Sequence, residues 1–307
     1  MIVLTGATGV VGSALLTRLL AKGEQVRVLV RDPRRLGPDR VRVQITLGDL
    51  SNPVALRQLV RGAREVVHLA ATIRDQPAGS IEELNGVATA RLLRLAEGAG
   101  VERFVFFGAM GATPSSRTRF FRAKALAEQA VMDSPLDATV LSPSIVYDPG
   151  DRWVTLLRRM SLLPVMPVAG GGRAAYQPIW AEDVAACAHR VLREGAPGGA
   201  RRLELAGPEV LTYEDIVRRA LSVWDRERPL VHVPLWMVRR SLRVLERMFG
   251  PGVFATWEEA ELMEVPMVTP AGTRDAVSLG VEPRRLAEVL GIGRGYRMQP
   301  VPAASPA

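Results

Sequence analysis

Short apolar runs alternate along this chain with longer segments in which apolar residues recur every three or four positions. The runs at 2–4 and 103–107 have the length of buried strands, whereas the leucine-rich segment 14–20 has the period of a helix that packs one face. Further strands are predicted at 25–30, 41–46, 65–70 and 138–141, and further helices from 53, over 81–99 and over 118–132. Strands that alternate with helices at this spacing predict an α/β fold, a doubly wound parallel sheet with helices on both faces.

The alternation breaks after residue 150, where prolines at 164 and 167 and the glycines at 170–172 mark an irregular segment. A strand is expected at 202–205, and Thr212 is the expected N-cap of a helix over 214–223, because Asp215 stands three residues later. The predicted domains are a first domain over 1–150 to which about 173–192 return, a smaller mixed α/β lobe over 151–299, and a flexible Pro/Ala/Ser-rich tail over 300–307.

A glycine-rich turn joins the first strand to the first helix. Gly6, Gly9 and Gly12 let the backbone turn tightly, approach a ligand and pack the helix on its strand. The start of the helix offers unpaired N–H groups and the positive end of its dipole to a pyrophosphate. A turn without a ligand is the alternative, but the strand–turn–helix context favours a dinucleotide-binding, Rossmann-like first domain.

Composition changes this interpretation little. Hydrophobic residues make up 48% of the chain and charged residues 23%, which is typical of a soluble globular protein. A formal charge of +8 is compatible with nucleic acid or an anionic membrane surface as partner. However, only Lys22 and Lys124 among the 40 basic residues are lysines, and the arginines are spread along the chain. We therefore attribute the charge to compositional bias and expect no nucleic-acid partner.

Metal sites, disulfides and membrane spans are not expected. Cys187 is the single cysteine, and His68, His189 and His232 lack the spacing of metal ligands. The chain begins directly in a predicted strand, so we expect no signal peptide. It has no stretch of about 18 uncharged apolar residues, so we expect no transmembrane segment and a cytoplasmic location.

The motifs, taken together, resemble the short-chain dehydrogenase/reductase superfamily in its extended and atypical branches, which include the NAD-dependent epimerases and dehydratases. The resemblance covers residue 1 to about 291 and rests, in order, on 5–12, 48–50, 67–71, Asn85, 100–105, 124–129, 143–147, 177–179 and 182–184. Within the superfamily, the chain looks similar to the nucleotide-binding accessory subunit of respiratory complex I and its bacterial relatives. Those proteins keep a bound NADPH and are not known as turnover enzymes.

The resemblance also bears on the choice of nucleotide. It places the selecting position at the end of the second strand on Val30, followed by Arg31. A carboxylate there accepts hydrogen bonds from the ribose diol, whereas an arginine pairs with a 2′-phosphate, so NADP(H) is preferred. Asp32 lies at about the 20-residue distance from the glycines where a ribose-binding acid is expected, so NAD(H) stays open.

Further positions are assigned to the nucleotide by the same resemblance. Asp49 and Leu50 would hold the adenine edge, and Ala70 and Ala71 would line the path toward the nicotinamide. The complete set of expected cofactor contacts is Gly6, Thr8, Gly9, Val10, Val11, Gly12, Arg31, Asp49, Leu50, Ala70, Ala71, Lys124, Pro143 and Val146.

Hydride transfer in the superfamily normally uses a Tyr-x-x-x-Lys pair on one helix face and a serine at the end of the preceding strand. In this chain Lys124 is present, but Phe120 stands at the tyrosine position and Gly108 at the serine position. Two of the three proton-handling groups are therefore missing. Lys124 is expected to hydrogen-bond the nicotinamide ribose, because an ammonium offers three donors on a flexible stem.

Two functions stay open at this point. The first is an NADP(H)-binding protein whose nucleotide is structural or regulatory and which associates with a membrane-bound respiratory assembly. The second is an active NAD(P)H-dependent reductase or epimerase/dehydratase in which Lys124 is the sole retained catalytic group.

An amphipathic pattern in the C-terminal half bears on the first of these functions. Leu235, Val238, Leu242, Leu245 and Phe249 recur at three- and four-residue steps, and another face carries Arg239, Arg243 and Arg247. Such a helix binds an anionic membrane surface or a partner, which would place the protein at the inner face of a membrane. The commoner alternative is a helix that packs its apolar face on its own domain.

Overall fold

The computed structural model describes residues 1–241 and 261–292. Its strands, in chain order, are β1 (Ile2–Thr5), β2 (Val26–Val30), β3 (Gln44–Leu47), β4 (Glu65–His68), β5 (Arg103–Phe107), β6 (Asp137–Pro143), β7 (Val146–Tyr147), β8 (Met166–Ala169), β9 (Ala175–Tyr176), β10 (Ile179–Trp180), β11 (Arg202–Leu205), β12 (Leu211–Thr212) and β13 (Leu230–Val233). Its α-helices with defined bounds are α1 (Val10–Ala21), α2 (Pro53–Val60), α3 (Ala88–Gly98), α4 (Arg119–Met132), α5 (Arg152–Met160), α6 (Ala181–Glu194), α7 (Tyr213–Val223), α8 (Arg274–Ser278) and α9 (Leu286–Ile292).

Seven parallel strands form the central sheet in the order β11-β6-β5-β4-β1-β2-β3. Both faces are covered. Leu15 and Leu19 of α1 pack with Val184 of α6 on one face, while Leu56 of α2 and Leu92 of α3 are buried on the other. The predicted doubly wound α/β fold is therefore confirmed. The strand order reverses between β1 and β4, which creates a crevice at their carboxyl ends where ligands of such sheets bind.

Several predicted elements differ in their bounds, and two of the differences have a clear local cause. The strand expected at 41–46 begins only at Gln44, because 3₁₀ turns occupy Pro33–Val41, capped by the side chain of Asp32. The helix expected over 81–99 contains a π turn at Glu83–Val87 before α3 begins. A π turn inserts one extra residue per turn and is common at functional sites, so this departure from the regular period is relevant to the crevice.

The second half of the chain contributes to both the sheet and a smaller packed layer. α6 packs on α1 in the core of the first sheet, and β11 extends that sheet beyond β6. The expected cap of α7 is confirmed, since Thr212 and Asp215 form a reciprocal capping box. Tyr147 and Tyr176 are fully buried in a separate cluster with α7 and α9.

The predicted amphipathic helix is described only in part. Residues 235–241 are helical, and Trp236 is 67% exposed. Leu242, Arg243, Leu245, Arg247 and Phe249 lie outside the described residues, as does the predicted tail over 300–307. Within the described ranges, we find no helix with the length and apolar character needed to cross a membrane.

Candidate functional site

A crevice of 490 Å³ opens at the carboxyl ends of β1, β2 and β4, at the reversal point of the sheet. Its floor is the glycine turn after β1, and its walls follow β2, β3 and β4. The lining residues are Gly6, Thr8, Gly9, Leu29, Val30, Arg31, Asp32, Arg35, Gly48, Asp49, Leu50, Leu69, Ala70, Ala71, Thr72, Gln76, Ala78 and Leu84. Eight of the predicted cofactor contacts are therefore brought together: Gly6, Thr8, Gly9, Arg31, Asp49, Leu50, Ala70 and Ala71.

The glycine turn fits a pyrophosphate because side chains are sterically excluded from it. Gly6 has φ +76°, and a Cβ there would lie 2.7 Å from the backbone nitrogen of Ala70. A Cβ on Gly12 would lie 2.0 Å from the carbonyl oxygen of Gly6, so α1 packs against the turn backbone to backbone. No side chain caps α1 and no acid stands in its first turn, which leaves its positive end to an anionic ligand.

The charged lip of the crevice lies after β2. Asp32 is engaged locally, because its Oδ1 accepts from the backbone N–H of Arg34 at 3.0 Å and its side chain pairs with the Arg34 guanidinium. These bonds hold the pKa of the Asp32 carboxyl below its ordinary value. Arg31 and Arg35 both line the crevice, and Arg31 also donates to Oε1 of Gln76 on the opposite wall at 3.3 Å.

The wall after β3 presents a partly engaged carboxylate. Oδ1 of Asp49 accepts from the backbone N–H of Ser51 at 2.8 Å and from the Ser51 hydroxyl at 2.5 Å. This turn fixes the orientation of Asp49 where it lines the crevice beside Leu50. Gly48 allows the chain to enter the turn, since a Cβ there would lie 2.6 Å from that of Ala55.

The wall after β4 is a loop held from outside by one arginine. Arg119, the first residue of α4, pairs with Asp75 at 3.0 Å and with Glu82 at 2.6 Å. The guanidinium lowers the pKa of both carboxyl groups below their ordinary values. The sequence predicted Ala70 and Ala71 on this wall but not Thr72, Gln76 and Ala78. The one sequence feature that points to this wall is Arg119 at the start of α4, whose charge is opposite to that of Asp75 and Glu82.

Lys124 lies outside the lining of the crevice. It is 3% exposed, its Nζ donates to the carbonyl oxygen of Phe107 at 2.6 Å, and Nζ lies 4.8 Å from the ring centroid of Phe106. Burial lowers its pKa to about 8. Four other predicted contacts, Val10, Val11, Pro143 and Val146, are also absent from the lining, as is Gly12, which supports the turn from behind.

Phe120, which stands at the tyrosine position in the resemblance, belongs to an apolar cluster. Thr118 caps α4, and the ring of Phe120 packs against a group that includes Ala109. The cluster consists of Ile73, Ala109, Ala112, Phe120, Phe121, Leu262, Val265 and Met267. A phenyl ring surrounded by these side chains has no proton to exchange.

Gly108, predicted at the serine position, lies at the end of β5 beside β6 and α4. A Cβ on Gly108 would lie 2.8 Å from Oγ of Ser142 and 2.9 Å from Oε2 of Glu128, which places it on the side of β6 and α4. Ala109, the next residue, shares the cluster of Phe120. Neither Gly108 nor Ala109 carries a hydroxyl, so neither residue offers a serine-type proton donor beside Phe120.

His68 is fully buried beneath the crevice, and burial lowers its pKa to about 3, aided by the charge of Lys124. In the unfolded chain its pKa is about 6.5. As the pH falls below that value, the unfolded chain binds a proton at His68, whereas the folded chain does not. The stability due to neutral His68 is present above pH ~6.5 and is lost toward low pH. Between pH 7 and 5 we expect the free energy of unfolding to fall by about 2 kcal/mol from this residue.

Chemical denaturation of His68→Gln against the unchanged protein, at both pH values, measures this contribution. The variant should lose that part of the pH slope. His232→Gln is the matched control, because His232 is exposed and pairs with Glu214 at 3.1 Å. An identical slope in His68→Gln and the unchanged protein would contradict the assignment.

Comparison with known proteins decides the family. A family model described as NAD(P)H-binding matches residues 6–194, which include the whole crevice. The chain belongs to this NAD(P)H-binding family. The resemblance to the complex I accessory subunit is confirmed by relatives named as subunits of NADH dehydrogenase, and the fold of the short-chain dehydrogenases/reductases is confirmed by the solved structures.

Among curated relatives, the chain is 30% identical over 226 residues to the mitochondrial NADH dehydrogenase [ubiquinone] 1 alpha subcomplex subunit 9 of Arabidopsis thaliana. That match covers 69% of this chain and 54% of the plant subunit, or about half its length. The chain is 29% identical to a ceramide reductase of Caulobacter vibrioides, covering 76% of this chain and 74% of the reductase. It is 28% identical to sterol demethylase protein B of Methylococcus capsulatus, covering 80% and 82%.

Solved structures agree with the fold. The UDP-glucose 4-epimerase of Thermotoga maritima superposes with a TM-score of 0.72 at 18% identity, covering 95% of this chain and 96% of the epimerase. A dTDP-glucose 4,6-dehydratase variant from Streptomyces venezuelae gives 0.71 at 18% identity, with 96% and 97% covered. At this identity the likeness shows the Rossmann-like fold alone.

Proposed function

We propose that this protein binds NADP(H) in the crevice and keeps it as a structural or regulatory nucleotide that is not turned over. The observation that carries the proposal is the contrast between two neighbouring regions. The glycine turn is shaped for a pyrophosphate, with no room for a Cβ at Gly6 or Gly12. Where the resemblance places the proton-handling pair, Phe120 lies in an apolar cluster and Gly108 has no side chain. A glycine turn that fits a pyrophosphate, next to a phenyl ring that cannot exchange a proton, supports nucleotide binding without hydride transfer.

The nucleotide, when bound, supplies a hydride-carrying nicotinamide; the residues of the chain hold and orient it. The turn at Gly6, Thr8 and Gly9 would hold the pyrophosphate by backbone N–H groups. Asp49 and Leu50 would receive the adenine, with the second carboxylate oxygen of Asp49 as an acceptor. Ala70 and Ala71 would lie along the path to the nicotinamide, where Lys124 is the expected donor to the ribose.

Preference for NADP(H) over NAD(H) rests on the charges at the lip of the crevice. Arg31 and Arg35 line it, while Asp32, the acid that follows β2, already pairs with Arg34. An arginine fork matches a phosphate in bidentate geometry, and a neutralised carboxylate repels it little.

The double variant Arg31→Ala, Arg35→Ala should weaken NADPH binding by about 30-fold and leave NADH binding within about twofold, since only NADPH has the 2′-phosphate. Titration of nicotinamide fluorescence measures both constants. Arg94→Ala is the matched control, because Arg94 is exposed on α3, away from the crevice. Equal losses for the two nucleotides would contradict the assignment of the phosphate to this lip.

A respiratory assembly is the partner that the relatives favour. Proteins of Arabidopsis thaliana, Dictyostelium discoideum and mouse that match this chain are named as subunits of NADH dehydrogenase. We propose an association with a membrane-bound respiratory complex, with the protein peripheral on the cytoplasmic face of the membrane. Co-sedimentation with membranes that persists in high salt but is lost in mild detergent supports it; full recovery in the soluble fraction at low salt contradicts it.

An active reductase or epimerase/dehydratase is the second candidate. Two relatives are named ceramide reductase and sterol demethylase protein B, and the cluster around Phe120 has the apolar character that a lipid substrate needs. In that case Lys124 is the group left to move a proton, and its pKa of about 8 suits this role near neutral pH.

The two candidates separate on turnover. The protein loaded with NADPH is mixed with a panel of ketones, 3-keto lipids and sugar nucleotides, and the nicotinamide absorbance is followed. The proposed function predicts no oxidation above that of free NADPH. Oxidation that Lys124→Ala abolishes, while nucleotide binding persists, would establish the reductase instead.

A further inference from the structure

A chain of buried hydrogen bonds runs beneath the crevice. Oγ1 of Thr5, at the end of β1, lies 2.6 Å from Nδ1 of His68 on β4. Nε2 of the same ring lies 2.9 Å from Oγ1 of Thr89 on α3. All three side chains are at most 1% exposed. A polar group buried this deeply costs free energy unless it has a hydrogen-bond partner, so the loss of any one of these bonds would destabilise the fold.

The proton positions in this chain follow from its two ends. The Thr89 hydroxyl donates its one proton to the carbonyl oxygen of Asn85 at 2.6 Å, so its oxygen accepts from Nε2–H of His68. A neutral ring protonated on Nε2 accepts at Nδ1, and Thr5 therefore donates to it. The oxygen of Thr5 is then left to accept the backbone N–H of Ala70 at 3.3 Å. Only this one order of donors and acceptors gives every group in the chain a hydrogen-bond partner.

Asn85 connects the far end of this chain to the crevice. Its Oδ1 accepts from the backbone N–H of Thr72 at 3.1 Å, and its Nδ2 donates to the carbonyl oxygens of Thr72 at 2.8 Å and of Ile81 at 2.7 Å. Asn85 is 2% exposed and lies in the π turn Glu83–Val87. The path thus begins at Ala70 and ends at Thr72, and both residues line the crevice.

We propose that Thr5, His68, Thr89 and Asn85 form a positioning circuit that fixes the wall Ala70–Thr72 against the bound nucleotide. The circuit holds the wall at its first residue through Thr5 and at its last through Asn85. Gly6, the first glycine of the turn, directly follows Thr5, and a Cβ there would touch the backbone of Ala70. The same circuit therefore sets the distance between the glycine turn, where the pyrophosphate would bind, and the wall Ala70–Thr72. This inference rests on the proposed seat of the nucleotide in the crevice.

Thr89→Val breaks the circuit with little change in shape, and Thr89→Ser restores the hydroxyl. We expect Thr89→Val to weaken NADPH binding about tenfold and to shift the emission of the bound nicotinamide toward that of free NADPH, with Thr89→Ser within about twofold of the unchanged protein. Thr139→Val is the control for lost stability, because Thr139 is equally buried on β6, outside the circuit. Affinities are measured well below the melting temperature of each variant.

The outcomes are distinct. A purely structural role predicts lower melting temperatures for Thr89→Val with unchanged affinity and emission, and this result would overturn the proposal. So would an equal loss of affinity in Thr139→Val. If Thr89→Val does not fold, Thr5→Val breaks the other end and must give the same tenfold weakening. Unchanged binding in the circuit variants, with binding lost in Gly12→Ala, would reject the circuit alone; unchanged binding in both would reject the proposed nucleotide seat as well.

Discussion

Gly12→Ala should abolish nucleotide binding and destabilise the fold. The new Cβ would lie 2.0 Å from the carbonyl oxygen of Gly6, and this oxygen belongs to the backbone, which has no rotamer to relieve the overlap. α1 would have to move away from the turn, so the phosphate grip and the packing of Leu15 and Leu19 are lost together. We expect NADPH affinity to fall by more than about 100-fold and the free energy of unfolding by about 3 kcal/mol.

Calorimetric titration with NADPH and thermal unfolding measure the two effects of Gly12→Ala. Gly207→Ala is a steric control, since a Cβ there would lie 1.7 Å from the carbonyl oxygen of Pro178, away from the crevice. It should lower stability by a similar amount, while its folded fraction keeps the affinity of the unchanged protein. A Gly12→Ala variant that binds NADPH as before would show that the nucleotide does not use this turn.

Lys124→Met should make the fold more stable at neutral pH and bind the nucleotide more weakly. A pKa lowered to about 8 by burial, from about 10.5, means that the ammonium destabilises the folded state by about 3 kcal/mol. Methionine would also leave the carbonyl oxygen of Phe107 without this donor, at a cost of about 1 kcal/mol. Methionine fills similar space without a charge, so we expect a gain of about 2 kcal/mol. A destabilising group retained in a core is typical of a functional site.

The pH dependence gives a second, independent signature of Lys124. Because its folded pKa is the lower one, the penalty is constant below pH ~8 and is relieved as the pH rises toward the unfolded value near 10.5. Stability of the unchanged protein relative to Lys124→Met should therefore rise by about 2 kcal/mol between pH 8 and 10. Lys22→Met is the matched control at the only other lysine, which is exposed. A less stable Lys124→Met with no difference in slope would refute the buried charge.

NADPH affinity completes the test of Lys124. Donation to the nicotinamide ribose predicts about tenfold weaker binding in Lys124→Met and no change in Lys22→Met. If Lys124→Met is more stable but binds NADPH with unchanged affinity, the destabilising buried charge is supported and the proposed hydrogen bond to the ribose is contradicted.

The sheet and the glycine turn are predictable because their signals are local. Apolar runs and glycine spacing decide them within a few residues, as at Ile2–Thr5 and Gly6. The late start of β3 at Gln44 followed from a local competition, since Asp32 and Pro33 favour 3₁₀ turns after β2. The alternation of apolar and polar residues at 41–46 indicates a strand but carries no information about this competing turn.

The rest of the site depends on residues that are distant in sequence. Thr5 and His68 are 63 positions apart, and Phe120 shares its cluster with Leu262. No period or motif encodes such pairs. His68 stood out in the sequence as a histidine without metal-ligand spacing and as part of the motif at 67–71, and neither feature indicates its partners Thr5 and Thr89.

The identity and redox state of the nucleotide retained during purification test the central claim most directly. The protein is purified without added nucleotide, denatured, and the released nucleotide is identified and counted by mass spectrometry and absorbance. We predict close to one NADPH per chain, still reduced after prolonged incubation with the carbonyl panel. Protein that carries no nucleotide and binds neither NADP(H) nor NAD(H) would contradict the account, and so would bound NADPH that the panel oxidises catalytically.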